Sequence, residues 1–200
     1  MSKLSKYYSR LWRTTTLVLL VFFSLLSNRT ILADADSDRW KMVQFLNEHL
    51  IYTVNAYAKW LNQNVHYESD KSEDSWAGPM KTIKKGTGDC EDFAFLSAAV
   101  LKVFGYDPRV IAVGHGKDAH VICIFKRDGV YYAFDNNELN RTNQTSMAAM
   151  AKFFQQSMSS EFVLELSLHP NKVHPLFAMK DSGEIIQFSG DQWFTHKSDK

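Results

Sequence analysis

Two cysteines in 200 residues are too few for a disulfide framework. No internal repeat, low-complexity tract or EF-hand spacing occurs. The net charge of +1 lacks the basic surplus that marks nucleic-acid binding. No apolar run reaches the ~20 residues that span a bilayer. What remains, 45% hydrophobic and 22% charged, is ordinary composition for one globular domain.

The first 35 residues read as a leader. Lys3, Lys6, Arg10 and Arg13 form a basic start, Leu17 to Leu26 an apolar core, and Ala33-Asp34-Ala35 an A-x-A cleavage site. The expected organisation is therefore a signal peptide over 1–35 and a domain over 36–200. Loss of the leader removes five basic residues and one acid, taking the net charge from +1 to −3. Export to the periplasm is the expected destination, and an uncleaved anchor the alternative.

The rest of the chain is organised around Gly86-Thr87-Gly88-Asp89-Cys90-Glu91-Asp92-Phe93-Ala94. Two glycines predict a tight loop. Asp89 is placed to cap a helix, with Asp92 facing back in capping-box fashion. Cys90 then occupies the first helical position, where the macrodipole favours a thiolate. The apolar run Phe93 to Phe104 predicts a helix through the core that stops at Gly105. A lone cysteine in an apolar helix is usually packing. Cys90 instead precedes the apolar run and sits among three acids, which favours a nucleophile.

Cys123 lies within Val121-Ile122-Cys123-Ile124-Phe125, where a strand buries a small hydrophobe. A domain of about 165 residues needs no covalent staple. A Cys90–Cys123 disulfide is thus the disfavoured alternative, even in an oxidising compartment.

Ahead of the central helix, Trp40, Val43, Leu46, Leu50, Val54, Tyr57 and Leu61 recur at three and four, predicting a helix or helix pair from Asp38 to Asn62. Residues 65–85 are polar and turn-rich, with Trp76-Ala77-Gly78-Pro79 their one marked feature. After it, Arg109–Val113, Ala119–Phe125 and Val130–Phe134 read as strands. Further on, Met147–Phe154 predicts a helix and Phe162–Leu168 and Ile185–Phe188 further strands.

Arg127-Asp128-Gly129 joins two of these strands, and Asp-Gly is a strong two-residue hairpin signal. Arg127 then faces Val130, and counting back sets Ile122 opposite Asp135. His120 shares the face of Ile122 and lies one diagonal step from Asp135. Cys123, an odd number of residues away, points to the other face. Cys90, His120 and Asp135 thereby supply a nucleophile, its base and the base's orienting partner. His115 in Gly114-His115-Gly116 is an alternative base that lacks the Asp135 geometry.

Gly88-Asp89-Cys90-Glu91-Asp92-Phe93-Ala94, Ala119-His120-Val121 and Phe134-Asp135-Asn136 together resemble the bacterial transglutaminase-like cysteine proteinases over roughly residues 40 to 140. The resemblance implies an α+β, papain-like core with a central nucleophile helix packed on an antiparallel sheet, a Cys-His-Asp triad and peptide-bond hydrolysis. It implies cleavage of the N-terminal region of a large surface adhesin, with control of biofilm attachment. It also implies inhibition by an inner-membrane receptor that senses cyclic di-GMP, and a need for calcium held by residues matching Asp89 and Glu91.

The residues give calcium a physical reason. Asp89, Glu91 and Asp92 lie within two residues of a thiol that must ionise, and like charge raises its pKa. A hard cation on those oxygens would relieve this; otherwise the acids cap the helix and face solvent. The expected chemistry is attack of the Cys90 thiolate on a peptide carbonyl with His120 as base, the backbone N–H of Cys90 as one oxyanion donor and Trp76 a candidate for the second. Three rivals share parts of this pattern. They are acyl transfer to amines, a murein peptidase of the NlpC/P60 type, whose cysteine is usually followed by Ser-Gly, and a non-catalytic binding module.

Overall fold

A computed structural model of the chain describes residues 37–69, 77–115 and 118–166, without the side chains of His115 and Asp118. It also gives the backbone of 172–179, 185–187 and 194–195. The leader 1–35 and Trp76 lie outside the described residues. The chain divides into two units, Met1–Lys41 and Met42–Lys200, and of the first only residues 37–41 are described.

The expected helix from Asp38 to Asn62 is a pair, α1 over residues 37–48 and α2 over Val54–Asn64. Leu50 makes the break. Its φ of 55° is left-handed, and the Ile51 N–H returns to the Leu46 carbonyl at 2.8 Å, the closure that usually has glycine at its left-handed position. Thr53 then starts α2 by accepting the Ala56 N–H at 3.1 Å. Leu46, Val54, Tyr57 and Leu61 of the apolar stripe are buried, as are Met42 and Phe45, whereas Leu50 is 71% exposed.

Residues 65–85 carry more structure than their polarity predicts. A two-residue strand β1 (His66–Tyr67) pairs in parallel with β2 (Thr87–Gly88). Between them α3 (Pro79–Lys85) begins on Pro79 and ends on Gly86 at φ 68°. Proline at the first turn and a left-handed glycine at the end are the expected punctuation of a helix.

The central helix α4 spans Cys90–Val103 and buries Phe93, Ala94, Leu96, Ser97, Ala98, Val100 and Leu101. Gly105, at φ 82°, ends it as expected, and the Tyr106 N–H returns to the Leu101 carbonyl at 3.0 Å. Strands β3 (Arg109–His115), β4 (Asp118–Arg127), β5 (Val130–Asp135) and β6 (Glu138–Arg141) form an antiparallel meander. Helix α5 (Met147–Met158) is followed by β7 (Phe162–Leu166), which pairs with β3. Strands β8 (Lys172–Met179), β9 (Ile185–Gln187) and β10 (Phe194–Thr195) extend that edge, in the order β10-β8-β7-β3-β4-β5-β6 with β9 on β8. The fold is α+β, with a nucleophile-bearing helix packed on an antiparallel sheet.

Period-two burial gives the sheet two apolar faces. Val110, Ala112, Val121, Cys123, Phe125 and Phe134 pack with α2 and α4. Ile111, Val113, Ile122, Ile124 and Ala133 pack with Met150 and Phe154 of α5. Cys90 and Cys123 are both free thiols, and burial pushes the Cys123 thiol well above its ordinary range.

A left-handed leucine costs about 1–2 kcal/mol, and the entropy glycine loses on folding takes back part of that. Leu50→Gly is expected to stabilise the protein by about 0.5–1 kcal/mol, read as a rise in Tm of roughly 2–4 °C. An equal or lower Tm would show that Leu50 contributes packing that outweighs its strain.

Candidate active site

The hairpin register is the one its Asp-Gly turn dictates. Asp128 and Gly129 take φ of 52° and 81°, the double left-handed geometry of a type I′ turn. Arg127 faces Val130 and Cys123 faces Phe134, which sets Ile122 level with Asp135. His120 Nε2 lies 2.6 Å from Asp135 Oδ1, with the two side chains 31% and 36% exposed. Nε2 is thus committed to the carboxylate and Nδ1 is the nitrogen left to take a proton. The β4–β5 ladder stops at Cys123–Phe134, so β4 runs on beyond its partner and carries His120 along an opened edge.

Cys90 meets that edge from α4. Its Sγ accepts a hydrogen bond from the Val121 N–H, the residue after His120, and so lies against the histidine's own strand. The thiol donates to Glu91 Oε2 at 3.2 Å. Burial foremost, then the Glu91 hydrogen bond and the charges of Glu91 and Asp89, push the Cys90 thiol from an ordinary 9.0 to about 12, against the lowering effect of the Val121 N–H. The expectation that the helix N-terminus makes a thiolate is therefore corrected. A helix end is worth roughly 0.3–1 kcal/mol, less than one pKa unit at 1.36 kcal/mol. Burial beside two carboxylates exceeds it, and the resting group is a thiol.

The acidic residues divide differently from their expected roles. Asp89 occupies the cap position but its side chain makes no cap hydrogen bond. Asp92 Oδ1 accepts the Ala77 N–H at 2.7 Å, while its other oxygen lies against Gly88. A Cβ on Gly88 would lie 2.7 Å from Asp92 Cβ and 2.8 Å from Oδ2, so the glycine lets the loop lie directly against Asp92. Strand β1 pins that loop through Glu68 N–H to the Gly88 carbonyl at 2.9 Å.

The set Asp89, Glu91 and Asp92 was expected to hold calcium. All three are buried, but Asp92 is engaged by Ala77 and Glu91 by the thiol. Among the described residues no group of three or more His, Cys, Asp or Glu side chains is gathered to hold a metal ion. Asp89 and Glu91 alone fall short of the six to eight oxygens calcium takes. The described side chains by themselves do not complete a calcium site, and no chemical step is derived through the ion.

Tyr67 is a neighbour the sequence did not single out. Burial, then the charges of Cys90, Asp89 and Glu91, push its hydroxyl pKa upward, placing a 59% exposed ring at the rim of the site. Its strand has two residues, too short for any periodic signal. The Val121 N–H and the Ala77–Asp92 link were equally illegible, being backbone contacts between distant segments.

Two outcomes test this geometry. With Glu91→Gln the thiol loses its acceptor carboxylate and a like charge, so its pKa falls. Alkylation of metal-free protein by iodoacetamide should reach half its maximal rate about one pH unit lower, and an unmoved profile would remove Glu91 from control of the thiol. Gly88→Ala forces the loop away from Asp92 and should cost about 1–3 kcal/mol in urea unfolding through the freed Ala77 N–H; unchanged stability would show that the contact is slack.

The sequence model of the Transglutaminase-like domain matches residues 38–159. No curated protein matches the chain. Among solved structures the chain is similar to Legionella pneumophila LapG at 19% identity, over 68% of this chain and 67% of that one, with a TM-score of 0.38. Its calcium-bound form gives 20% identity over 68% of each chain at 0.38. A structure described as a cysteine protease candidate from Cytophaga hutchinsonii gives 19% identity over 73% of this chain and 48% of that one at 0.37. With more than half its length inside the family match, this chain belongs to the family defined by the Transglutaminase-like domain.

Proposed function

We propose that the protein is a cysteine endopeptidase acting through Cys90, His120 and Asp135. The observation that carries this is the 2.6 Å contact of His120 Nε2 with Asp135 Oδ1 on the strand whose Val121 N–H holds the Cys90 sulfur. Nucleophile and oriented base thus share one edge of one strand.

Because the resting sulfur is protonated, attack begins with transfer of the thiol proton to His120 Nδ1 as the sulfur approaches the peptide carbonyl. Asp135 holds the ring and stabilises the imidazolium that forms. The Cys90 N–H at the open end of α4 is one donor to the developing oxyanion. The imidazolium then protonates the departing amine, and water, deprotonated by the same nitrogen, attacks the thioester carbonyl; the C–S bond breaks, the acid leaves and the proton returns to the Cys90 sulfur. Where an amine takes the place of that water the product is an amide. Acyl transfer is therefore the second reading, favoured by the family's description.

The substrate proposed is the N-terminal region of a large surface adhesin, cut in the periplasm so that biofilm attachment is released. The inhibitory partner proposed is an inner-membrane cyclic di-GMP receptor of the LapD type. Among the described residues no helix is long and apolar enough to cross a membrane. Calcium is proposed as a dependence of activity. A cation drawing on Asp89 and Glu91 would offset the charge that holds the thiol protonated.

The test is incubation of purified protein with the N-terminal part of such an adhesin, in calcium and in EGTA, alongside Cys90→Ala and Asp135→Asn. Cleavage is expected to need Cys90, to fall roughly 100-fold or more with Asp135→Asn, and to be lost in EGTA. Cleavage indifferent to EGTA would keep the triad and discard the metal. Incorporation of a labelled amine without cleavage would replace hydrolysis by acyl transfer.

A further inference from the structure

At the end of α4 and β4 remote from Cys90 and His120, the surface carries a set of residues that neither fold nor chemistry uses. Leu50 is held left-handed at φ 55° and is 71% exposed. Tyr52, two residues on, is 61% exposed. Beside Tyr52 a cavity of about 360 Å³ is lined by Thr53, Asn55, Phe104, Tyr106 and Arg127. The Arg127 guanidinium lies over the Tyr132 ring, 4.1 Å from its centroid, and it forms no ion pair with a carboxylate among the described residues.

Each feature alone is unremarkable, but their coincidence is costly. Glycine at position 50 would remove both the backbone strain and the exposed apolar side chain, so what leucine supplies there is its side chain. Strain of this kind is characteristic of ligand clamps. Tyrosine and arginine are enriched among the residues that dominate binding at protein interfaces, and a guanidinium held over an aromatic ring loses less entropy on pairing with a carboxylate.

We propose that Leu50, Tyr52, Tyr106 and Arg127 form a docking surface for a protein partner that presents an acidic segment with an apolar anchor. The partner's carboxylate enters the cavity against Arg127, and its aliphatic or aromatic side chain covers Leu50 and Tyr52. Charge complementarity selects this occupant, since the cavity holds an arginine and no acid. The surface is remote from the chemistry. Fourteen residues of α4 and the seven-residue step from His120 to Arg127 along β4 each span about 20 Å. It therefore recruits the partner and leaves the reaction at Cys90 untouched, and it stands whether or not that reaction is proteolysis.

The test pans the biotinylated full chain against a random peptide display library and measures the enriched peptides by fluorescence anisotropy. The expected peptides share an Asp or Glu close to an aliphatic or aromatic residue. They bind Cys90→Ala as they bind the native protein, and they lose about tenfold in affinity with Arg127→Gln and with Tyr52→Ser. Leu50→Gly, expected to fold more stably, should also bind more weakly, which separates recognition from folding. Failure to enrich any peptide, enriched peptides without an acid, or affinities unmoved by all three surface substitutions would each overturn the proposal. So would a dimer in sedimentation that Arg127→Gln dissolves, which would assign the surface to a second copy of the chain.

Discussion

The two-residue turn Asp128-Gly129 closes the hairpin of β4 and β5 with both residues left-handed, and the His120–Asp135 pair takes its position from that closure. Antiparallel pairing has a side-chain period of two, so a slip of one residue would turn His120 from the face of Ile122 to that of Cys123. The apolar pattern resists such a slip. Ile122 and Ile124 are buried against α5, and Cys123 and Phe125 against α4. The hydrophobic burial that holds the sheet between its helices is thus the same constraint that aims the imidazole at Asp135.

Cys90 answers to a different constraint. Its helix is apolar enough to run through the core, and that burial is what makes ionisation of the sulfur costly. Two carboxylates at its sides add to the cost, and the Val121 N–H offsets only part of it. A resting thiol is compatible with the mechanism proposed, in which the proton leaves as the carbonyl approaches and no buried thiolate has to persist.

How much of this was legible depended on the range of the interaction. The Asp-Gly turn, the apolar run Phe93 to Phe104 and the alternation through Val121 to Phe125 are local patterns, and they located α4, the hairpin and the His120–Asp135 pair. The polar stretch at 65–85 hid α3 and the β1–β2 pairing because two-residue strands have no period, and because Pro79 and Gly86 were read as turn residues, not helix ends. The cap expected of Asp89 does not form, and Asp92 takes a backbone donor from Ala77, fifteen residues away, a contact that spacing cannot show. Leu50 was assigned to the core stripe on spacing. The left-handed turn that expels it depends on Ile51, which is buried and draws the chain back onto Leu46. Strands β6, β8 and β10 have no sequence-level expectation; β6 and β10 are the two ends of the strand order, and an edge gains its partner from the tertiary fold.

The same distinction bears on the acids around Cys90. Spacing alone makes Asp89, Glu91 and Asp92 equivalent, three carboxylates within one helical turn. The fold makes them unequal. Asp92 holds the Ala77 backbone and acts on the geometry of the loop before the helix; Glu91 accepts a hydrogen bond from the thiol and acts on the sulfur; Asp89 contributes charge without capping. An N-terminal acid is normally stabilising through the helix dipole, and here that ordinary preference places negative charge where it opposes ionisation. A site built this way needs some compensating positive charge at the moment of attack. In the mechanism proposed, that charge forms on His120 only as the proton moves, which would tie the ionisation of the sulfur to the arrival of the substrate.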